Sequence, residues 1–139
     1  MESDLNLVSG ESLIRQIMYG RKFTEQYFGQ SVDYLWEPDV FGFTAALPQI
    51  LAKSGVKYIA SQKLSQNKVN PFPHHMFRWQ GLDGSEVIMH NFPEDTYDSR
   101  ARATSSLKLE ANYKEKEICR SLDGLWRRRW WRWSCRRAY

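Results

Sequence analysis

Trp36-Glu37-Pro38-Asp39-Val40-Phe41-Gly42 sets a carboxylate between a proline, which fixes the backbone, and a glycine, which lets it turn. A carboxylate held this rigidly just past a strand can be aimed into the mouth of a barrel, where chemistry is done. The same Asp could instead cap a following helix, since Asp is a common N-cap residue. On the residues alone both readings stand. His74, His75 and His90 would, with Asp39, complete a tetrahedral set for zinc. Two adjacent residues of an extended loop rarely point at one ion, so structural hydrogen bonding is the expectation for all three histidines. Cys119 and Cys135 lack a Cys-x-x-Cys pair and a nearby histidine, which indicates neither a zinc ribbon nor a disulfide framework.

These residues need elements to position them. Ser9 or Ser12 can cap a helix running to Phe28, because Leu13, Ile14, Ile17, Met18, Phe23, Tyr27 and Phe28 recur at three- and four-residue steps and Gly29 stops it. Ser31 to Trp36 reads as a short strand, with Asp39 in the turn beyond its carboxyl end. A helix from Thr44 to Ser54, closed by Gly55, leads to a strand at Lys57 to Ala60. That order is the repeating unit of a parallel sheet, in which the loops at the carboxyl ends of strands hold the chemistry. Asn67 to His75 reads as an ordered loop. Met76 to Trp79 and Glu86 to His90 flank the turn residues Gly81-Leu-Asp-Gly84 as a hairpin, Asn91 to Ser99 is a further loop, and Ser105 to Cys119 is a last helix with alternating Lys and Glu.

The sequence resembles the α-mannosidases of glycoside hydrolase family 38, particularly the cytosolic and bacterial type, from about Ser9 to Glu117. The blocks that carry the resemblance are Ser9-Gly-Glu-Ser12, Tyr34-Leu-Trp-Glu-Pro-Asp-Val-Phe-Gly42, Ala45-Ala-Leu-Pro-Gln-Ile50, Ser61-Gln-Lys-Leu-Ser65, Asn67, Asn70-Pro-Phe-Pro-His-His75, Trp79, Gly81-Leu-Asp-Gly-Ser85 and Asp95-Thr-Tyr97. The resemblance implies an α/β fold, part of the parallel β/α barrel of an N-terminal catalytic domain, with about three β-α units present in this length. It implies hydrolysis of terminal α-mannosyl residues of oligosaccharides by a retaining, metal-dependent mechanism. Asp39 would be the nucleophile and a ligand of one divalent cation, zinc or alternatively cobalt. Phe41 would shape the sugar subsite, Lys63 would hold Asp39 ionised, and Tyr97 would place its hydroxyl by the reacting sugar, with Asp98 behind it. From the residues alone Phe41 could be an ordinary core phenylalanine and Lys63 a solvated lysine.

In the family, a His-x-Asp pair on an earlier strand and a later histidine complete the metal site, and the general acid lies downstream. This sequence has no His before His74 and none after His90. The expectation is that Asp39 is its one ligand from that set, and that the 139-residue polypeptide alone neither binds zinc tightly nor hydrolyses mannosides. Residues 1–119 are read as partial catalytic domain and 120–139 as a separate tail. That tail holds seven Arg against Asp123, so the formal +4 of the whole leaves the first 119 residues at −2 and removes the warrant for a basic nucleic-acid face there. Its four tryptophans interleaved with Arg could stack on bases and contact phosphates, the alternative function from another class, or reach an anionic membrane. A translated frameshift, which would make the tail non-native, is the preferred reading: family members continue past Asn112 to Glu117 into a glycine-rich stretch, and glycine codons read out of frame become Trp and Arg codons. The acidic Met1-Glu2-Ser3-Asp4 start, the cysteine pattern and the absence of a long apolar run point to a cytoplasmic protein without membrane insertion.

Overall fold

A computed structural model describes residues 3–94, 96 and 97, and 102–115. Helix α1 (Gly10–Phe28) begins where the Ser9 hydroxyl accepts the Ser12 N–H, and it ends at Gly29, whose φ of 63° lets its N–H return to the Glu25 carbonyl. Leu13 on this helix is buried, whereas Met18, Tyr19, Phe23, Tyr27 and Phe28 are exposed, with Phe23 and Tyr27 packed on each other at 4.5 Å.

Strand β1 (Tyr34–Trp36) is shorter than expected; before it the Asp33 carbonyl is shared between the N–H groups of Lys57, at 2.8 Å, and Tyr58, at 3.3 Å. Helix α2 (Leu47–Lys53) starts later than Thr44. Pro48 in its first turn fits a position that needs no donor, and the Thr44 carbonyl closes a separate turn onto Leu47 N–H. Gly55, at φ 76°, then turns the chain into strand β2 (Tyr58–Ser61). A single 3-10 turn (Lys63–Gln66) follows, then strand β3 (Met76–Gln80) and strand β4 (Glu86–Asn91).

The sheet order is β1-β2-β4-β3. Strands β1, β2 and β4 are parallel, and β3 runs antiparallel to β4 as the expected hairpin, with Gly84 at φ 82° in the turn. The α/β class is as expected, but the sheet is mixed, and β1-α2-β2 is the one β-α-β unit with its crossover helix among the described residues. The reason is the Gly81–Gly84 turn: a connection this tight can only join antiparallel strands. Leu47 and Leu51 of α2 pack with Ile59, Val87 and Met89 of the sheet and with Leu5, Leu13, Val40 and Val56 in one core.

Helix α3 (Ala103–Asn112) stops well before Cys119. Tyr113 is extended, and Glu115 turns inward to the backbone at the start of β3, contacts a continuing helix would not provide. The expected tail at 120–139, Cys119, and the acidic residue Asp98 lie outside the described residues.

Candidate active site

Parallel neighbours deliver their carboxyl ends to the same side of a sheet, so the loops after β1, β2 and β4 meet. The first of these carries Asp39. Its backbone is pinned from both sides: Glu37 N–H continues the ladder to the Ala60 carbonyl at 2.9 Å, and the Pro38 carbonyl accepts Gln62 N–H at 3.2 Å. Glu37 itself is buried and accepts from Ser3, Val40 plugs into the core, and Gly42 sits at φ 122° where a side chain would press on Asn6. Between these anchors the Asp39 carboxylate stays half exposed.

The loop after β2 brings Lys63, whose ammonium lies 2.5 Å from Asp39 Oδ1. It also sits over two rings, 4.4 Å from the centre of Phe41 and 5.5 Å from that of Tyr97, which arrives on the loop after β4. All four expected site residues, Asp39, Phe41, Lys63 and Tyr97, therefore converge. The Lys63 ammonium holds the Asp39 carboxyl below the usual carboxylate range, and a hydrogen bond from Tyr97 adds to this. Reciprocally, Asp39 first and Tyr97 second raise Lys63.

This geometry separates the readings left open by the residues. Asp39 does not cap α2, which begins only at Leu47 without a side-chain cap. Phe41 is 83% exposed, so it is no core residue, and the Lys63 side chain, at 16%, is not a solvated lysine. A half-exposed, ionised carboxylate flanked by a paired cation and two aromatic rings can attack an electrophilic carbon of a ligand that lies against those rings.

The histidines lie apart from this cluster. His75 N–H donates to Glu115, and its Nδ1 accepts from Lys114 N–H at 3.1 Å; His74 Nδ1 is 3.1 Å from Glu115 Oε1. His90 departs from the hydrogen-bonding expectation: it packs on Phe92 and Tyr113, and its buried Nδ1 has no hydrogen-bond partner among the described residues. Among the described residues no group of three or more His, Cys, Asp or Glu side chains could hold a metal ion. No described helix is long and apolar enough to cross a membrane.

Two participants escaped the sequence. Gln66 donates to the Tyr97 hydroxyl at 2.9 Å, and its only signal was adjacency to the Ser61–Ser65 block. Glu115 is a buried carboxylate, although in sequence it looks like one more charge in an exposed Lys/Glu run.

Residues 1–126 match the model of the glycosyl hydrolases family 38 N-terminal domain. The chain is 46% identical over 116 residues to α-mannosidase 2C1 of Mus musculus, covering 84% of this chain and 11% of that protein. It is 44% identical over 119 residues to α-mannosidase G of Dictyostelium discoideum, covering 86% and 11%. It is 38% identical over 117 residues to α-mannosidase of Saccharomyces cerevisiae, covering 84% and 11%. The chain thus spans about a ninth of the length of these curated relatives. Among solved structures, an α-mannosidase from Enterococcus faecalis superposes at a TM-score of 0.61 with 19% identity, covering 81% of this chain and 14% of that one, which is a likeness of fold. Nothing in these relatives supports the nucleic-acid reading of the tail.

Proposed function

The chain belongs to glycosyl hydrolase family 38, and from that premise we propose that it supplies the nucleophile, Asp39, of a retaining α-mannosidase acting on terminal α-mannosyl residues of oligosaccharides. The observation that carries this reading is the convergence of Asp39, Phe41, Lys63 and Tyr97 at the carboxyl ends of adjacent parallel strands. A retaining glycosidase needs one carboxylate ionised and open to the anomeric carbon. Asp39 meets both requirements. Its attack forms a glycosyl ester while the leaving oxygen takes a proton from a second carboxyl; water then opens the ester with that carboxyl as base. The second carboxyl is expected downstream of this segment.

Lys63 favours the ionised nucleophile before attack, and its burial against two rings keeps the ammonium in place. The exposed ring of Phe41 offers an apolar wall for one face of a sugar, and the Tyr97 hydroxyl a polar contact beside it. Asp39 is also proposed as one ligand of a divalent cation, zinc or cobalt. The described residues do not fit such an ion by themselves, since they hold no set of three donors and the ammonium of Lys63 already occupies Oδ1 of Asp39. The remaining ligands have to come from outside the described residues. A cytoplasmic location is part of the proposal, resting on the cysteine pattern.

The test is a chimera in which this chain replaces the matching segment of the S. cerevisiae α-mannosidase. It should cleave an aryl α-mannoside, and Asp39→Asn in it should lower kcat on the order of 10⁴-fold, as removal of a nucleophile does. A chimera that works equally well with Asn at this position rules the assignment out.

A further inference from the structure

We propose that Asp4 is a positioning residue for the nucleophile: its carboxylate shapes residues 3–6 into a clasp that holds the Asp39 loop in place. The clasp is built around one turn. Asp4 Oδ1 accepts the N–H groups of Asn6 and Leu7, both at 2.7 Å, so a largely exposed segment that would otherwise sample many conformations is folded back onto one carboxylate. Folded this way, it delivers Leu5 into the core cluster that also takes Val40 of the Asp39 loop.

Three ties run from the clasp to that loop, and they fall on both sides of Asp39 in sequence. Before it, the Ser3 N–H donates to Oε1 of the buried Glu37 at 3.3 Å. After it, the Asn6 side chain lies against Gly42, where an added Cβ would stand 3.1 Å from Asn6 Nδ2, and the Leu5 carbonyl accepts Thr44 N–H at 3.0 Å. The sheet grips the loop ahead of Asp39, at Glu37 and Pro38, through Ala60 and Gln62. The clasp adds a hold beyond Asp39, at Gly42 and Thr44. Placement matters here because Lys63 arrives from a different strand, and its ammonium meets Asp39 Oδ1 at 2.5 Å only while the two loops keep their relative position. A misplacement of about 1 Å can slow a reaction on the order of 10²-fold. The catalytic meaning of the clasp rests on the reading of Asp39 as nucleophile; its hold on the loop does not.

The experiment reads the hold and its catalytic meaning separately. In the full chain, amide hydrogen exchange followed by NMR reports the hold. Asp4→Ala should speed exchange of the Thr44 and Gln62 amides, which close on Leu5 and Pro38, by about tenfold, as the loss of bonds to a charged acceptor allows. The Ile88 amide, bonded to the Lys57 carbonyl ahead of β2, should keep its rate. Asp4→Asn retains an accepting oxygen and should behave as the wild type does. In the chimera that carries this chain, kcat should fall on the order of tenfold with Asp4→Ala and recover with Asp4→Asn. Unchanged exchange at Thr44 and Gln62, equal acceleration at Ile88, or an Asp4→Asn variant as impaired as Asp4→Ala overturns the clasp. Exchange that responds while kcat does not, in a chimera that Asp39→Asn inactivates, overturns the positioning role. Exchange that responds in a chimera that Asp39→Asn leaves active means that the hold is right and the nucleophile assignment wrong. Asp4 is exposed, so neither substitution empties a buried site.

Discussion

At Asp39 the decisive neighbour is Lys63. Its ammonium is the main cause of the lowered carboxyl pKa, with Tyr97 second, so replacing it has a directional consequence. In the chimera, Lys63→Gln should raise the Asp39 pKa toward the ordinary range and move the acidic limb of the kcat/KM profile to higher pH. A limb that stays in place would show that Lys63 does not govern this ionisation. From the residues alone Phe41 and Lys63 carried no mark of their roles, but the four residues of this cluster were legible through the family resemblance, because each lies in a matched block: Tyr34–Gly42 for Asp39 and Phe41, Ser61–Ser65 for Lys63, and Asp95–Tyr97 for Tyr97. Gln66 was not, since a polar residue in a polar stretch carries no mark of the hydroxyl it will meet across the sheet.

Among the elements, α1, α2 and the hairpin were readable because caps, turn glycines and apolar spacing act locally. Ser9, Gly29, Gly55 and Gly84 all stand where the chain starts or reverses. The boundaries that failed were decided by distant partners. Tyr113 to Glu115 leaves the helical path because the Glu115 carboxylate receives the N–H groups of His75, at 3.0 and 3.1 Å, and of Met76, at 3.2 Å. No local pattern announces a contact some forty residues back in the chain. This buried carboxylate ties the end of α3 to the start of β3. Glu115→Ala would leave both amides without their acceptor, at a cost of about 3 kcal/mol from the desolvation of buried donors. Urea unfolding measures it, and a loss under about 1 kcal/mol would show that the amides find other partners.

For the whole molecule, β1 and β3 form the edges of the described sheet, and α1 shows a run of exposed aromatic residues. Unpaired strand edges and exposed apolar faces of this kind favour contact with other surfaces. The sequence could not reveal it, because the apolar spacing of α1 marks a face to be covered without saying by what. Stability of the chain should also carry the signature of His90, whose pKa is lowered to about 4, mainly by burial, then by His75. A histidine with a lowered pKa binds fewer protons folded than unfolded, so stability is full above the ordinary histidine range and falls between about pH 6.5 and 4. The loss over that window should be roughly 3 kcal/mol, and it should vanish from the difference between wild type and His90→Leu if another group causes it. The bond between Asp39 and the sugar can be trapped. Treating the chimera with a fluorinated α-mannosyl fluoride slows the second step and accumulates the glycosyl ester, and peptide mass mapping then locates the sugar. A single modified peptide with the fluoromannosyl group on Asp39 is expected; the label on another carboxylate, with Asp39 unmodified, would contradict the assignment of Asp39 as nucleophile.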